Sequence, residues 1–163
     1  MPRHLDLSFG PASHNRLDGA VEPGIEGALA ALESFYFAFN NADLDAFAQV
    51  WSKDPLAQLN NPLGGMLRGG EAITALYERV FHGPARVTVT FSDIVVYFDD
   101  QHAVFAGRET GEYTVDGSPA APLSIRTTRY FHYHNGRWAQ FHHHGSIDHP
   151  QALAAYQSAV TGR

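Results

Sequence analysis

A chain of 163 residues, 44% of them hydrophobic, is long enough to enclose the core of one domain. Its net charge of −6 and lack of basic runs argue against a nucleic-acid partner, and no apolar run reaches membrane-spanning length. The absence of cysteine excludes disulfides, thiolate nucleophiles and Cys-based metal sites; Met1-Pro2-Arg3-His4 does not open a signal peptide, so a soluble cytoplasmic protein is expected.

Residues 1–24 carry Gly10-Pro11, Asp18-Gly19 and Pro23-Gly24 among few apolar residues and are expected to form an irregular arm. From Ile25, Leu29, Leu32, Phe35 and Phe39 recur at helical spacing, predicting a helix to about Phe39. Asn40-Asn41-Ala42 interrupts it, and Asp43 suits the N-cap of a second helix through Trp51, with Leu44, Phe47, Val50 and Trp51 on its buried face. Asp54-Pro55 ends that helix, Ala57 to Pro62 is a short extended piece, and Leu63 to Gly70 reads as a loop. A third helix, Glu71 to Phe81, places Ile73, Leu76, Tyr77 and Val80 on one face, with its acid in the first turn where the helix dipole favours it.

Long strands follow: Arg86 to Phe98 with an irregularity at Ser92-Asp93, then Ala103 to Val115, then a hairpin. In that hairpin Ser124 to His134 and Arg137 to Ser146 flank Asn135-Gly136, the pair most compatible with a tight hairpin turn because both residues tolerate positive φ. A final amphipathic helix, Pro150 to Val160, closes the chain, so residues 150–163 are expected to form a C-terminal helix and tail after a domain spanning 25–149. Helices first and antiparallel strands after imply an α+β domain, a cone-shaped roll in which three N-terminal helices pack on one face of a strongly curved sheet. The mouth of such a cone is a pocket.

The order of motifs resembles the nuclear transport factor 2-like (cystatin-like) superfamily. The junction Asn40-Asn41-Ala42-Asp43-Leu44-Asp45, then Trp51, Asn61-Pro62 and Gly70-Glu71-Ala72-Ile73 are similar to its helix junction, aromatic, Asn/Asp-Pro turn and third-helix start. Gly136-Arg137-Trp138 followed by His142-x-His144-x-Ser146 resembles the SnoaL-like subgroup. Thr128-Arg129 ahead of that hairpin resembles the association domain of calcium/calmodulin-dependent kinases. The superfamily includes ketosteroid isomerases, cyclases, dehydratases and oligomerisation modules, so fold alone does not give function. The resemblance implies no cofactor and no metal. It also places Asn61 where steroid isomerases carry their aspartate base, Phe35 where they carry a tyrosine (Tyr36 being adjacent), and Arg129 where they carry a protonated aspartate. An amide cannot abstract a proton, so that chemistry is not expected here.

Strand alternation puts Trp138, Gln140, His142, His144 and Ser146 on one face and Ala139, Phe141 and His143 on the other, a sorting that one bulge would reverse. By the resemblance the tryptophan face looks into the cone, with Arg129, Phe131 and Tyr133 inward on the partner strand. The expected site is therefore Arg129 and Gln140 as ligand contacts, walled by Phe35, Phe39, Trp51, Asn61 and Phe131, with His142 or His144 moving a proton. The ligand expected is a small hydrophobic, anionic molecule, acted on by a cofactor-independent cyclase, isomerase or dehydratase. Two alternatives stand beside it: a non-catalytic binding or association module, and a metal enzyme using His142-x-His144 with Glu109, Asp148 or His149. Arg129 has its own bland reading as the ion-pair partner of a carboxylate such as Glu109. The outer face, bearing Tyr130, His132, Phe141 and His143, is too aromatic for water and is expected to form a homodimer.

Overall fold

The computed structural model describes residues 1–163 and shows the expected α+β roll. Three helices, α1 (Ile25–Asn40), α2 (Leu44–Val50) and α3 (Gly70–Phe81), precede the long strands β4 (Ala85–Phe98), β5 (His102–Val115), β6 (Ala121–His134) and β7 (Arg137–Ser146). Short strands β1 (Arg3–Leu5), β2 (Gln58–Asn60) and β3 (Leu67–Arg68) extend the sheet, and α4 (Pro150–Thr161) closes the chain. The seven strands run in the order β1-β4-β5-β6-β7-β2-β3, antiparallel except where β2 lies parallel to β7. No helix is long and apolar enough to cross a membrane.

Local chemistry explains most boundaries. Asp43 caps α2 by accepting a hydrogen bond from the Ala46 amide at 3.0 Å. Asn135 and Gly136 both take positive φ, 55° and 79°, which is the backbone a two-residue hairpin turn requires. β4 carries a register shift between Ser92 and Val95 with Asp93 at φ 53°, the irregularity its sequence suggested. α1 is clamped to β4 by Asn40, whose side chain accepts from the Val89 amide at 2.8 Å and donates to the Val89 carbonyl at 3.0 Å.

Two regions differ from the sequence expectation. Residues 1–24 are not an irregular arm: β1 pairs with β4, Phe9 bridges Phe91, and Gly19–Val21 forms a 3-10 turn. Leu5, Phe9 and Ala20 are buried, so scattered apolar residues tie the arm to an otherwise open sheet edge. Gly27 permits this, because a Cβ there would lie 1.8 Å from the Glu22 carbonyl oxygen, the same atom that accepts the Trp138 indole hydrogen bond at 3.1 Å. The span Leu63 to Gly70, expected as a loop, contains β3.

The core is aromatic and lies between the helices and the inner sheet face. Trp51, Trp138, Tyr36, Phe35, Phe47, Phe91, Phe105 and Phe131 are all fully buried. α4 lies across the end of this core. Tyr156 and Val160 are buried, the Tyr156 ring sits 5.3 Å from that of Tyr113, and Gln157 donates to the Pro62 carbonyl at 2.9 Å.

Candidate functional site

The face assignment of β7 turns on one residue. Phe131 pairs with Gln140 and Tyr130 with His142, so Phe141 is an extra residue on β7, a β-bulge. The cause lies on the other edge of β7. There Trp51 bridges Gln140 and Gln58 pairs with His142, while the chain between them leaves the sheet through the Asp54-Pro55 turn. After the bulge the alternation is reversed. His143 points inward and is 3% exposed, whereas His142 and His144 belong to the outer face. The expected roles of His142 and His144 inside the cone are thereby corrected, and the inward imidazole is His143. The two outer histidines also gather no third ligand, since no group of three His, Asp or Glu side chains comes together with metal-binding geometry.

Inside the cone the structure does assemble Arg129, Gln140, Phe35, Trp51 and Phe131. All three guanidinium nitrogens of Arg129 are engaged: Nε donates to Tyr36 Oη at 2.9 Å, Nη1 to Gln140 Oε1 at 3.1 Å, and Nη2 to Glu109 Oε1 at 2.8 Å. Tyr36 in turn donates to Glu109 Oε1 at 2.7 Å, and the guanidinium stacks over the Phe35 ring at 3.6 Å. Burial alone would discourage the arginine charge, but Tyr36 and Glu109 outweigh it and hold the Arg129 pKa above its ordinary value. Burial pushes the Tyr36 hydroxyl well up, keeping it protonated and able to donate. A buried ion pair repays its desolvation only with geometry of this kind and full hydrogen bonding. Arg129 is thus the centre of a charge-balanced network.

Two donors nearby have no acceptor. Trp51 Nε1 and Gln140 Nε2 are sealed from solvent and unpaired, and they belong to residues that bridge one another across adjacent segments. His143 completes the polar inner wall: its Nδ1 donates to the Thr128 carbonyl at 3.2 Å, which leaves Nε2 as the basic nitrogen. Burial, reinforced by the Arg129 guanidinium, holds His143 well below the ordinary histidine pKa, so it is a neutral imidazole at pH 7.

The remaining expected residues are placed less centrally. Asn61 has a structural role: its amide donates to Tyr77 Oη at 3.2 Å and its carbonyl oxygen accepts from the Leu63 amide at 3.2 Å, fixing the turn through Pro62. Phe39 stacks on Phe35 at 6.0 Å but also lines a separate 190 Å³ cavity between α1, α3 and β4. Sequence reasoning noted Tyr36 only as the neighbour of Phe35, and Glu109 as a partner of Arg129 or a metal ligand; both prove integral to the network. A Tyr on the buried face of a helix, and a Glu within an apolar-alternating strand, were the signals available.

A family model described as a SnoaL-like domain matches residues 28–150. No curated protein matches the chain in sequence. Among solved structures, a candidate calcium/calmodulin-dependent protein kinase II association domain from Xanthomonas campestris is similar with a TM-score of 0.64 and 21% identity, covering 77% of this chain and 90% of that one. A second candidate association domain of that kind, from Thiobacillus denitrificans, gives 0.58 and 26%, covering 72% and 92%. A ketosteroid isomerase-like protein from Erwinia carotovora atroseptica gives 0.63 and 19%, covering 72% and 91%. β1, the 3-10 turn and all of α4 beyond Pro150 lie outside the matched family segment. With the helices, sheet order and polar cone interior all in place, the chain belongs to the SnoaL-like domain family of the nuclear transport factor 2-like superfamily.

Proposed function

We infer that this protein binds a small, mostly hydrophobic molecule inside the cone, through an oxygen of the ligand that accepts hydrogen bonds from Gln140 and Trp51. The observation that carries this reading is the pair of buried donors, Gln140 Nε2 and Trp51 Nε1, left without an acceptor in an otherwise satisfied interior. An unmade buried hydrogen bond costs about 1–3 kcal/mol, so a site with two of them favours a guest that completes them. Because Glu109 already balances Arg129, the interior asks for a neutral carbonyl, ether or hydroxyl oxygen rather than for the anion that an unpaired arginine would have demanded. Gln140 and Phe131 are fully buried, so the guest is admitted only as the side chains around them shift outward.

One further observation favours catalysis over binding alone. His143 is an inward, neutral imidazole with Nε2 free, facing Arg129 across the β6–β7 pairing, and offers a bound molecule a proton acceptor whose basicity burial and the Arg129 charge reduce. The SnoaL-like fold and the isomerase-like neighbour are consistent with such proton transfers. A panel of small ketones, lactones and alcohols tests both readings by thermal shift. A ligand at a hundred times its Kd contributes about 2.7 kcal/mol, or a rise in Tm of about 5–11 °C for a domain of this size. The shift should vanish in Gln140→Leu, and any turnover should vanish in His143→Gln with binding retained. No shift with any compound, together with an ordered water bridging Gln140 and Trp51 in a crystal, would overturn the reading.

The outer face supports a homodimer as the proposed assembly. His102, Tyr130, His132, His134 and Phe141 form a continuous set of ring contacts, with centroids 4.8 Å apart for His102 and His132 and 5.4 Å for His132 and Phe141. Phe141 lies in this set as expected, whereas His143, also expected there, points inward.

A further inference from the structure

The reversal after Phe141 turns two histidines outward into company that the interior reading does not use. His142 and His144 line a 460 Å³ groove on the outer sheet face together with Arg126 and Thr128 of β6, Ser146 of β7, and Gly107 of β5. Arg126 is exposed, and its only hydrogen bond is from Nε to Ser146 Oγ at 3.2 Å. No carboxylate lies within ion-pair distance of it. His142 has Nδ1 fixed on the Gln58 carbonyl at 2.9 Å, which leaves Nε2 for a guest. This occurs in a chain with 17 acids against 11 basic residues, in which Arg16, Arg108 and Arg129 pair with acids and Arg126 does not.

The geometry points to an oxyanion-binding groove for a phosphoryl group, held by the free Nη1 and Nη2 donors of Arg126, the hydroxyls of Thr128 and Ser146, and the imidazoles of His142 and His144. The residue types select the ligand class. A guanidinium fork matches two oxygens of a tetrahedral oxyanion, hydroxyls donate to its remaining oxygens, and a protonated imidazole adds a charge-assisted bond. Arg126, Thr128, Ser146 and His144 can donate to the guest, His142 Nε2 does so in its imidazolium form, and no lining side chain is a carboxylate that would repel it. The groove opens beside the aromatic outer face, where Tyr130 pairs with His142, so the rest of an organic phosphate lies at the rim of the face proposed to dimerise. Free phosphate or pyrophosphate and a phosphate monoester share the anchoring chemistry.

Calorimetric titration of the full chain at low salt with inorganic pyrophosphate, and separately with phenyl phosphate, tests the site. One saturable event per chain is expected, weakened about tenfold in Arg126→Gln and in His144→Gln, as befits loss of one charge-assisted hydrogen bond. Arg86→Gln, an exposed arginine on β4 outside the groove, and Gln140→Leu in the cone should both leave it unchanged. Tighter binding of phenyl phosphate than of pyrophosphate would identify a monoester as the ligand class, and the reverse order a free oxyanion. No saturable heat with either compound, or equal binding in Arg126→Gln and wild type, overturns the groove. Neither result bears on the cone, whose test reads a different ligand and different variants.

Discussion

Arg129 shows how one side chain can hold a domain's interior together. Its three engaged nitrogens join α1 through Tyr36, β5 through Glu109 and β7 through Gln140. Removing one member of a buried pair strands the other charge, and Arg129→Met is expected to cost about 3–5 kcal/mol. The double variant Arg129→Met, Glu109→Leu should recover much of that loss, because neither charge remains. Urea unfolding of the two single variants and the double variant measures the coupling, and strict additivity would show the pair to be unimportant. His143 makes a second prediction. Its folded pKa lies well below its unfolded value near 6.5, so the unfolded chain binds the proton first as the solution is acidified. Its contribution is therefore intact above pH 6.5 and is lost as pH falls from there towards the folded pKa, at up to about 1.4 kcal/mol per pH unit. His143→Phe should flatten the pH dependence of the urea midpoint between about pH 6.5 and 5 by that one proton.

At the scale of elements, pattern was legible wherever one local rule sufficed. Helical periodicity placed α1, α2 and α3, Asp43 marked a cap that the structure shows, and Asn135-Gly136 marked the hairpin turn. What escaped were features set by a neighbour. The bulge at Phe141 answers to the break between Trp51 and Gln58 on the adjacent edge, and nothing within β7 itself announces it. That one residue moved two histidines out of the expected site and brought His143 into it. The β1 strand escaped likewise, because Arg3-His4-Leu5 has no alternation to offer until β4 presents an edge. Deleting Phe141 should restore a regular ladder, with Gln140 and His142 consecutive opposite Phe131 and Tyr130, and so leave His142 outward and His143 inward; retained protease resistance of the hairpin would report it. α4 makes the other prediction at this scale. Two buried anchors, Tyr156 and Val160, contribute about 1.5–3 kcal/mol each. That is less than the roughly 5–15 kcal/mol of a whole domain, so α4 should open locally before the sheet does. In Tyr156→Ala, amide exchange should quicken across residues 150–161 while the amides of β4 to β7 keep their protection.

The whole molecule presents two unlike halves of one sheet face. The aromatic and imidazole rings about His132 suit a second copy of the chain, whereas the groove about Arg126 suits an anion. Burial and the neighbouring imidazoles of His102 and His134 lower the His132 pKa, so protonating this patch is disfavoured, and a copy packed upon it would disfavour protonation further. Sedimentation at neutral pH should show a dimer in wild type and a monomer in Phe141→Glu, which places a carboxylate among the packed rings. A wild-type chain that sediments as a monomer at high concentration would remove the assembly reading and leave the cone untouched.

The helix that crosses the end of the core has a consequence for time rather than affinity. A guest that enters the cone past this end must wait until Tyr156 lifts from Tyr113 and Gln157 releases Pro62. The observed association rate should then rise with ligand concentration only to a ceiling, the frequency at which α4 undocks, instead of climbing without limit as a diffusive encounter does. Stopped-flow mixing would show that plateau in wild type, and Tyr156→Ala should raise it. The helix outside the family's common domain would thereby act as a clock on whatever chemistry the interior performs.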